Sequence, residues 1–283
     1  MFEELKRIEK AYSRFIDDSE LSKINSKLGT WHSVSYEFFH LLEKAEEFRK
    51  KTHGNFDITL KSSLESLGYD KDYSFTRKSP EKNSIFSKLR TMLSGSVRLD
   101  KVNHRVLLNK QVEIGGFGKG YCLDRLVQII ESHEIMDYYI NAGGDIRARM
   151  SHSKDSTNLN SSNVSDGWNI LLEHPDDTSS AIGQIKLNNK AIACSAPNRR
   201  KWGKSGEYHH LLNAQTKMPQ NSVKCIFIIA STGIEADGYA TALFAAGFED
   251  AIVMVHELPV DMLIVSRENK MYKTPGFEVE IFS

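Results

Sequence analysis

Cysteine is scarce in this chain, and what there is cannot frame a structure: Cys122, Cys194 and Cys225 form no CxxC pair and no metal-ligand spacing. A reduced compartment is the plain reading of that spacing, and the odd count argues against a disulfide framework. Excess charge is also absent. Lys+Arg and Asp+Glu stand at 37 each, so no global field draws the chain to DNA, RNA or an anionic membrane. Any phosphate binding must therefore be built locally. No apolar run reaches the ~18 residues of a membrane span. The opening MFEELKRIEKAYSRF carries charges where a signal peptide needs an apolar core, and no lipobox cysteine lies near it. The expectation from the sequence as written is a cytoplasmic protein, with no nucleic-acid partner and no membrane span. No internal repeat is present.

What remains is the composition of a globular protein, 40% hydrophobic and 26% charged over 283 residues, a length that suits one large domain or two intimate lobes, of which one compact domain is the expectation. Phe2, Leu5, Ile8, Tyr12 and Phe15 recur at helical spacing, and a second helix is expected from Ser35 to Lys51. Residues 61–96 read as irregular with a short helix. Val106 to Ile114 reads as a pair of short strands ending in the glycines 115, 116, 118 and 120, and a third helix follows. Tyr138 to Met150 alternates around Ala142-Gly143-Gly144 as a strand that turns sharply. Residues 151–167 (SHSKDSTNLNSSNVSDG) are too poor in apolar groups to pack and read as a polar surface insertion. Strands then resume at WNILLEHP, 182–187, 192–195 and 225–230. Helices are expected from Glu235 to Ala246 and from Glu249, before a last strand VDMLIVSR. Strands and helices interleave without a strict βα repeat, so the fold class is α+β, with a mixed β-sheet core and flanking helices.

Four segments carry residue types suited to chemistry. EIGGFGKG, residues 113 to 120, sets glycines and Lys119 between a strand and a helix, where free N–H groups and a positive dipole end meet an anion. It matches neither a P-loop nor GxGxxG, and alone it is equally a tight turn. In EADGYATAL, Asp237 and Thr241 stand four apart on one helix face, a hard-oxygen pair suited to Mg²⁺ or an ordinary polar face. EYHHLLNAQTKMP offers His209 and His210, one of which could accept a proton near neutral pH. HGNFD, residues 53 to 57, places a flexible glycine before an aromatic and an acceptor.

These signals occur together in one order, and that order resembles the ApbE family of FAD:protein FMN transferases. SELSKIN (19 to 25) is similar to the family's SELSxxN, HGNFDIT to GxFDxT and EIGGFGKGYCLD to DLGGIAKGYAxD. INAGGDIRA is similar to the strand ending in GGD, HHLLNAQTKMP to sHIIDPxTGxP, and EADGYATALFAAG to ADxxxTxLFxxG. The match runs from about residue 10 to 255. The resemblance implies Mg²⁺ held by Asp237, Thr241 and the carbonyl of Gly116. It implies FAD, the substrate, in contact with Phe15, Asn55, Phe56, Asp57, Glu113, Lys119 and Leu212. His210 would act as base on the threonine of an acceptor flavoprotein, such as a redox-pump subunit or a flavin-dependent reductase. His209 would be structural or solvent-facing. Family members are often exported lipoproteins, which implies a periplasmic or membrane-anchored protein if the start is truncated. Three features depart from the pattern. The sequence as given starts after the family's first strand with Met-Gly-Thr, Glu113 stands where the family has Asp, and Asn213, Ala214, Gln215 and Lys217 replace its Asp, Pro, Arg or similar, and Gly. Two other readings stay open: a Mg²⁺-dependent FAD pyrophosphatase, and a catalytically weakened flavin-binding module.

Overall fold

A computed structural model describes residues 1–77, 96–151 and 167–282. The polar tract expected at 151–167 thus lies almost wholly outside the described residues, as does half of the irregular stretch expected at 61–96. In chain order the helices are α1 (Phe2–Tyr12), α2 (Glu20–Asn25), α3 (Tyr36–Lys51), α4 (Lys61–Ser66), α5 (Gly118–Ser132), α6 (Gly233–Ala246) and α7 (Phe248–Met254). The strands are β1 (Trp31–Ser33), β2 (Val97–Asp100), β3 (Arg105–Leu108), β4 (Tyr138–Ala142), β5 (Asp145–Arg149), β6 (Trp168–Glu173) and β7 (Ala181–Leu187). They continue as β8 (Lys190–Ser195), β9 (Lys201–Trp202), β10 (Tyr208–His209), β11 (Val223–Ala230), β12 (Asp261–Ser266), β13 (Met271–Lys273) and β14 (Glu280–Ile281). The α+β class holds. The recorded pairings refine the expected mixed sheet, since every one of them is antiparallel. Among the described residues no helix is long and apolar enough to cross a membrane.

The chain divides into two compact units. The first, from Phe117 to Arg199 and from Asn221 to Ser283 with Met1, is built on a six-stranded sheet in the order β13-β12-β11-β8-β5-β4. Side chains alternate across a strand, so β11 serves two layers. Cys225, Phe227 and Ile229 enter a core with Ile170, Leu172, Ile182 and Ile185 from the three-stranded sheet β14-β7-β6. The intervening Ile226 and Ile228 are buried as well, and α6 packs on β8 and β11. With both faces covered, β11 is a near-continuous apolar run, as sequence VKCIFIIA requires.

Helix α6 is apolar on almost every side because α5 and the sheet enclose it. Thr232 caps it: the threonine hydroxyl accepts from Glu235 N at 3.4 Å and donates to the Glu235 carboxylate at 2.9 Å. The helix therefore starts two residues before the expected Glu235. Where it meets α5, a Cβ on Gly233 would stand 2.6 Å from Gly120 O, and a Cβ on Gly120 would collide with Gly233 O. Only glycine permits that approach.

The second unit spans Phe2 to Gly116 and Arg200 to Gln220. Its three-stranded sheet has the order β1-β3-β2. Ser35 caps α3 by accepting from Phe38 N at 3.2 Å, one residue before the helix, in agreement with the expected start. The strand pair expected at 106–114 lies earlier, as the hairpin β2–β3. Asp100 accepts from Asn103 N at 3.1 Å and His104 takes a left-handed φ of 47°, so these residues form the hairpin turn. Val112 is instead held by a side chain: Asn25 donates to Val112 O and accepts from Val112 N, both at 2.8 Å. All three cysteines are free. Burial pushes the Cys194 thiol up to about 12, so it does not ionise near neutral pH.

Candidate functional site

The residues singled out in the sequence divide between the two units. Lys119, Asp237 and Thr241 belong to the first. Phe15, Asn55, Phe56, Asp57, Glu113, Gly116, His210 and Leu212 belong to the second.

In the first unit Lys119 occupies the opening turn of α5, and its ammonium bonds to Asp145 at the start of β5 and reaches Asp237 on α6 at 3.3 Å. Asp237 is 3% exposed, and its second oxygen accepts from Gly120 N at 3.0 Å. The carboxylate of α6 therefore caps the amino terminus of α5, where charge and dipole are complementary. Asp124 on α5 returns the arrangement. Its two oxygens accept from Gly233 N at 2.7 Å and Ile234 N at 2.9 Å, at the amino terminus of α6. The two crossing helices cap one another.

Burial disfavours the Lys119 ammonium, but the charges of Asp237 and Asp145 outweigh it and raise its pKa. Asp145, 1% exposed, is pushed upward by burial and by Asp237, against the pull of Lys119. Burial likewise raises Asp124, opposed by its two backbone donors. Thr241 is partly exposed, one turn along α6 from Asp237. Asp237 and Thr241 suit a hard divalent cation: both offer oxygen, and the first oxygen of Asp237 is only weakly engaged by its ammonium. Among the described residues no group of three or more His, Cys, Asp or Glu is placed to hold a metal. Any such ion would depend on hydroxyl, carbonyl, substrate and water oxygens.

In the second unit the residues of HGNFD are engaged locally. Asn55 donates to Thr52 O at 3.0 Å, and Asp57 accepts from Thr59 N at 2.8 Å as the cap of a 3-10 turn. Phe56 is 2% exposed and packs edge-on against Phe48, with ring centroids 5.2 Å apart. Glu113 folds over the glycine turn and accepts from Gly115 N at 2.8 Å. Phe15 stacks on Tyr73 at 5.2 Å, and the Arg14 guanidinium lies 4.7 Å from the Phe15 ring and 4.9 Å from that of Tyr69. Tyr69 stacks in turn on Trp202, and His210 lies 6.2 Å from Tyr69. His209 is 2% exposed and its Nδ1 accepts from Leu211 N at 3.2 Å, whereas His210 is partly exposed. Leu212 is buried with Leu60, Leu64, Leu67 and Trp202. The following turn is closed by Asn213, which accepts from Gln215 N at 3.0 Å and Thr216 N at 2.9 Å. Lys217 there has φ 58°, a conformation that favours glycine.

Sequence reasoning assigned no role to Asp124, Asp145 or Tyr69. Asp145 and Asp124 stand inside the quoted GGD and KGYCLD segments. The available signal was an acidic residue amid apolar periodicity, which calls for a partner when buried.

The model of the ApbE family matches residues 1–264. The chain belongs to the ApbE family. Two curated relatives, each named FAD:protein FMN transferase, come from Buchnera aphidicola subsp. Schizaphis graminum and Haemophilus influenzae. The chain is 24% identical to the first, over 94% of its own length and 77% of the relative's. It is 25% identical to the second, over 95% and 78%. Among solved structures, the ApbE protein of Thermotoga maritima superposes with a TM-score of 0.83 at 28% identity, covering 98% of this chain and 88% of that one. In this ApbE-family chain, the first unit joins three carboxylates, an ammonium and two capped helix starts. The second joins an aromatic cluster, a histidine and a glycine turn.

Proposed function

We propose that this chain transfers the FMN half of FAD to a protein hydroxyl, releasing AMP. The observation that carries the reading is the buried Asp237 carboxylate set against Lys119 and the first turn of α5, within a chain that matches the family over residues 1–264. Asp237, Thr241 and the Gly116 carbonyl would hold Mg²⁺. When bound, that ion supplies positive charge to the pyrophosphate as the bond between its two phosphates breaks. Lys119, with a side chain 42% exposed, adds a cation that the substrate phosphates can reach.

Phe15 would present an aromatic face to the flavin, and the turn that carries the buried Leu212 would lie beside it. Asn55, Phe56, Asp57 and Glu113 shape the turns beside it through the local bonds described above. His210 takes the proton of the acceptor threonine, whose oxygen attacks the FMN phosphorus. The new bond is a phosphoester, and AMP leaves with the bridging oxygen. The acceptor is a flavoprotein with an accessible threonine. Positioning and electrostatics are what the protein contributes.

Mass spectrometry of a threonine-bearing acceptor domain incubated with the protein, FAD and Mg²⁺ tests this reading. A mass gain equal to FMN, with AMP in equal amount, is the expected result. AMP without a mass gain would replace transfer by hydrolysis, and tight FAD retention without AMP would leave only binding.

A further inference from the structure

Lys119 is shared unequally between two carboxylates. Its ammonium bonds closely to Asp145 but stands 3.3 Å from the nearer Asp237 oxygen, beyond the 2.7–2.9 Å or so of a full charge-assisted bond. The other Asp237 oxygen is occupied by Gly120 N at 3.0 Å. Asp145 is itself anchored: it begins β5, pairs with Ala142 across the Gly143-Gly144 turn, is 1% exposed, and accepts from Cys194 N at 3.4 Å. A rigid strand thus carries the carboxylate, and a flexible four-carbon stem carries the ammonium. An ammonium and a divalent cation would compete for the same Asp237 oxygen, since both seek negative charge there.

We propose that Asp145 is a positioning residue that draws the Lys119 ammonium away from Asp237, leaving one Asp237 oxygen available to a divalent cation. The inference rests on the metal role of Asp237 given above. The Lys119 side chain is 42% exposed, but its ammonium stands between two buried carboxylates and bonds to whichever of them is charged and within reach. With Asp145 present the lysine has a counter-ion of its own. Without it, the nearest remaining carboxylate is Asp237, and the lysine closes the position that the cation needs. The raised pKa of Lys119 is consistent with an ammonium held charged by both acids.

Two measurements on the flavin-free chain test this: calorimetric titration with MgCl₂, and a crystal structure of Asp145→Asn. The expected result is a Kd for Mg²⁺ raised about tenfold, with Lys119 Nζ moved from 3.3 Å to about 2.8 Å from the Asp237 oxygen that it already faces. In turnover, Asp145→Asn should raise the half-saturating Mg²⁺ concentration more than it lowers the rate at saturating Mg²⁺. Lys119→Met, which removes the competitor, should bind Mg²⁺ at least as tightly as the parent chain. This second variant keeps the test decisive if Asp145→Asn folds poorly. Weaker Mg²⁺ binding by Lys119→Met, or a lysine that stays put in Asp145→Asn, overturns the proposal. Asp237→Ala separates the two levels. If it binds Mg²⁺ like the parent chain, the metal reading fails and the inference with it. If it loses Mg²⁺ while Asp145→Asn keeps the parental Kd, the metal reading stands and the inference alone falls.

Discussion

Asp124 and Asp237 show how much a single carboxylate can hold when its partners are the free N–H groups of a helix start. Each lies on one helix and caps the other, at separations of 109 and 117 residues along the chain. Asp124→Ala should lower stability by about 1–3 kcal/mol, because two buried N–H groups lose their acceptor, and Asp124→Asn by less, since one oxygen remains. Denaturant midpoints of the three proteins check this. The sign of the pH effect follows from burial, which raises the Asp124 pKa on folding. The folded state then holds the proton more tightly, so this group's contribution falls as pH rises above its unfolded value of about 3.9. Asp124→Asn should remove that fall, and urea titrations from pH 4 upward would show it. The adjacent histidines offer a second contrast at this scale. His210→Ala should slow transfer by about 10²–10⁴-fold with little change in FAD affinity, as expected for loss of a proton acceptor. His209→Ala should instead lower the melting temperature, since His209 is buried and accepts from Leu211 N. A transfer rate that falls only in His209→Ala would move the base by one residue.

At the scale of elements, the α5–α6 crossing decides where the charged groups stand. Gly120 and Gly233 bring the two helix starts into backbone contact, which sets Asp237 against Gly120 N and Lys119 beside it. The glycine turn had suggested close approach of a ligand, yet at Gly120 the close approach is that of another helix. Gly120→Ala should therefore destabilise the first unit by about 1–3 kcal/mol through overpacking, and should weaken Mg²⁺ binding with it. Thermal melts with and without Mg²⁺ measure both, and a variant as stable as the parent chain would contradict the packing described. Element positions were legible beforehand wherever periodicity and caps agreed. Ser35 before α3 and the short apolar runs of β7, β8 and β11 are cases of this. The hairpin β2–β3 was misplaced because its turn is closed by side-chain bonds of Asp100, which hydrophobic periodicity does not register.

For the whole molecule, ligand linkage gives the most general prediction. A ligand that binds only the folded state stabilises it by roughly 2.7 kcal/mol at one hundred times its Kd. With Mg²⁺ present, FAD should raise the unfolding midpoint more than FMN at equal concentration, since the pyrophosphate and adenosine add contacts that FMN lacks. Equal shifts would count against a pyrophosphate site. Residue types, order and spacing by themselves determined the α+β class, most of the helices and strands, and the family. These follow from local backbone periodicity and from motifs read along the chain. Only the tertiary structure decided that Asp237 is buried and capping, that Asp145 holds Lys119, that Asn25 fastens Val112, and that His209 and not His210 is enclosed. The physical reason is that a charge or donor is defined by its partner. For these residues the partner lies between 26 and 117 positions away, or in a core that no local pattern describes.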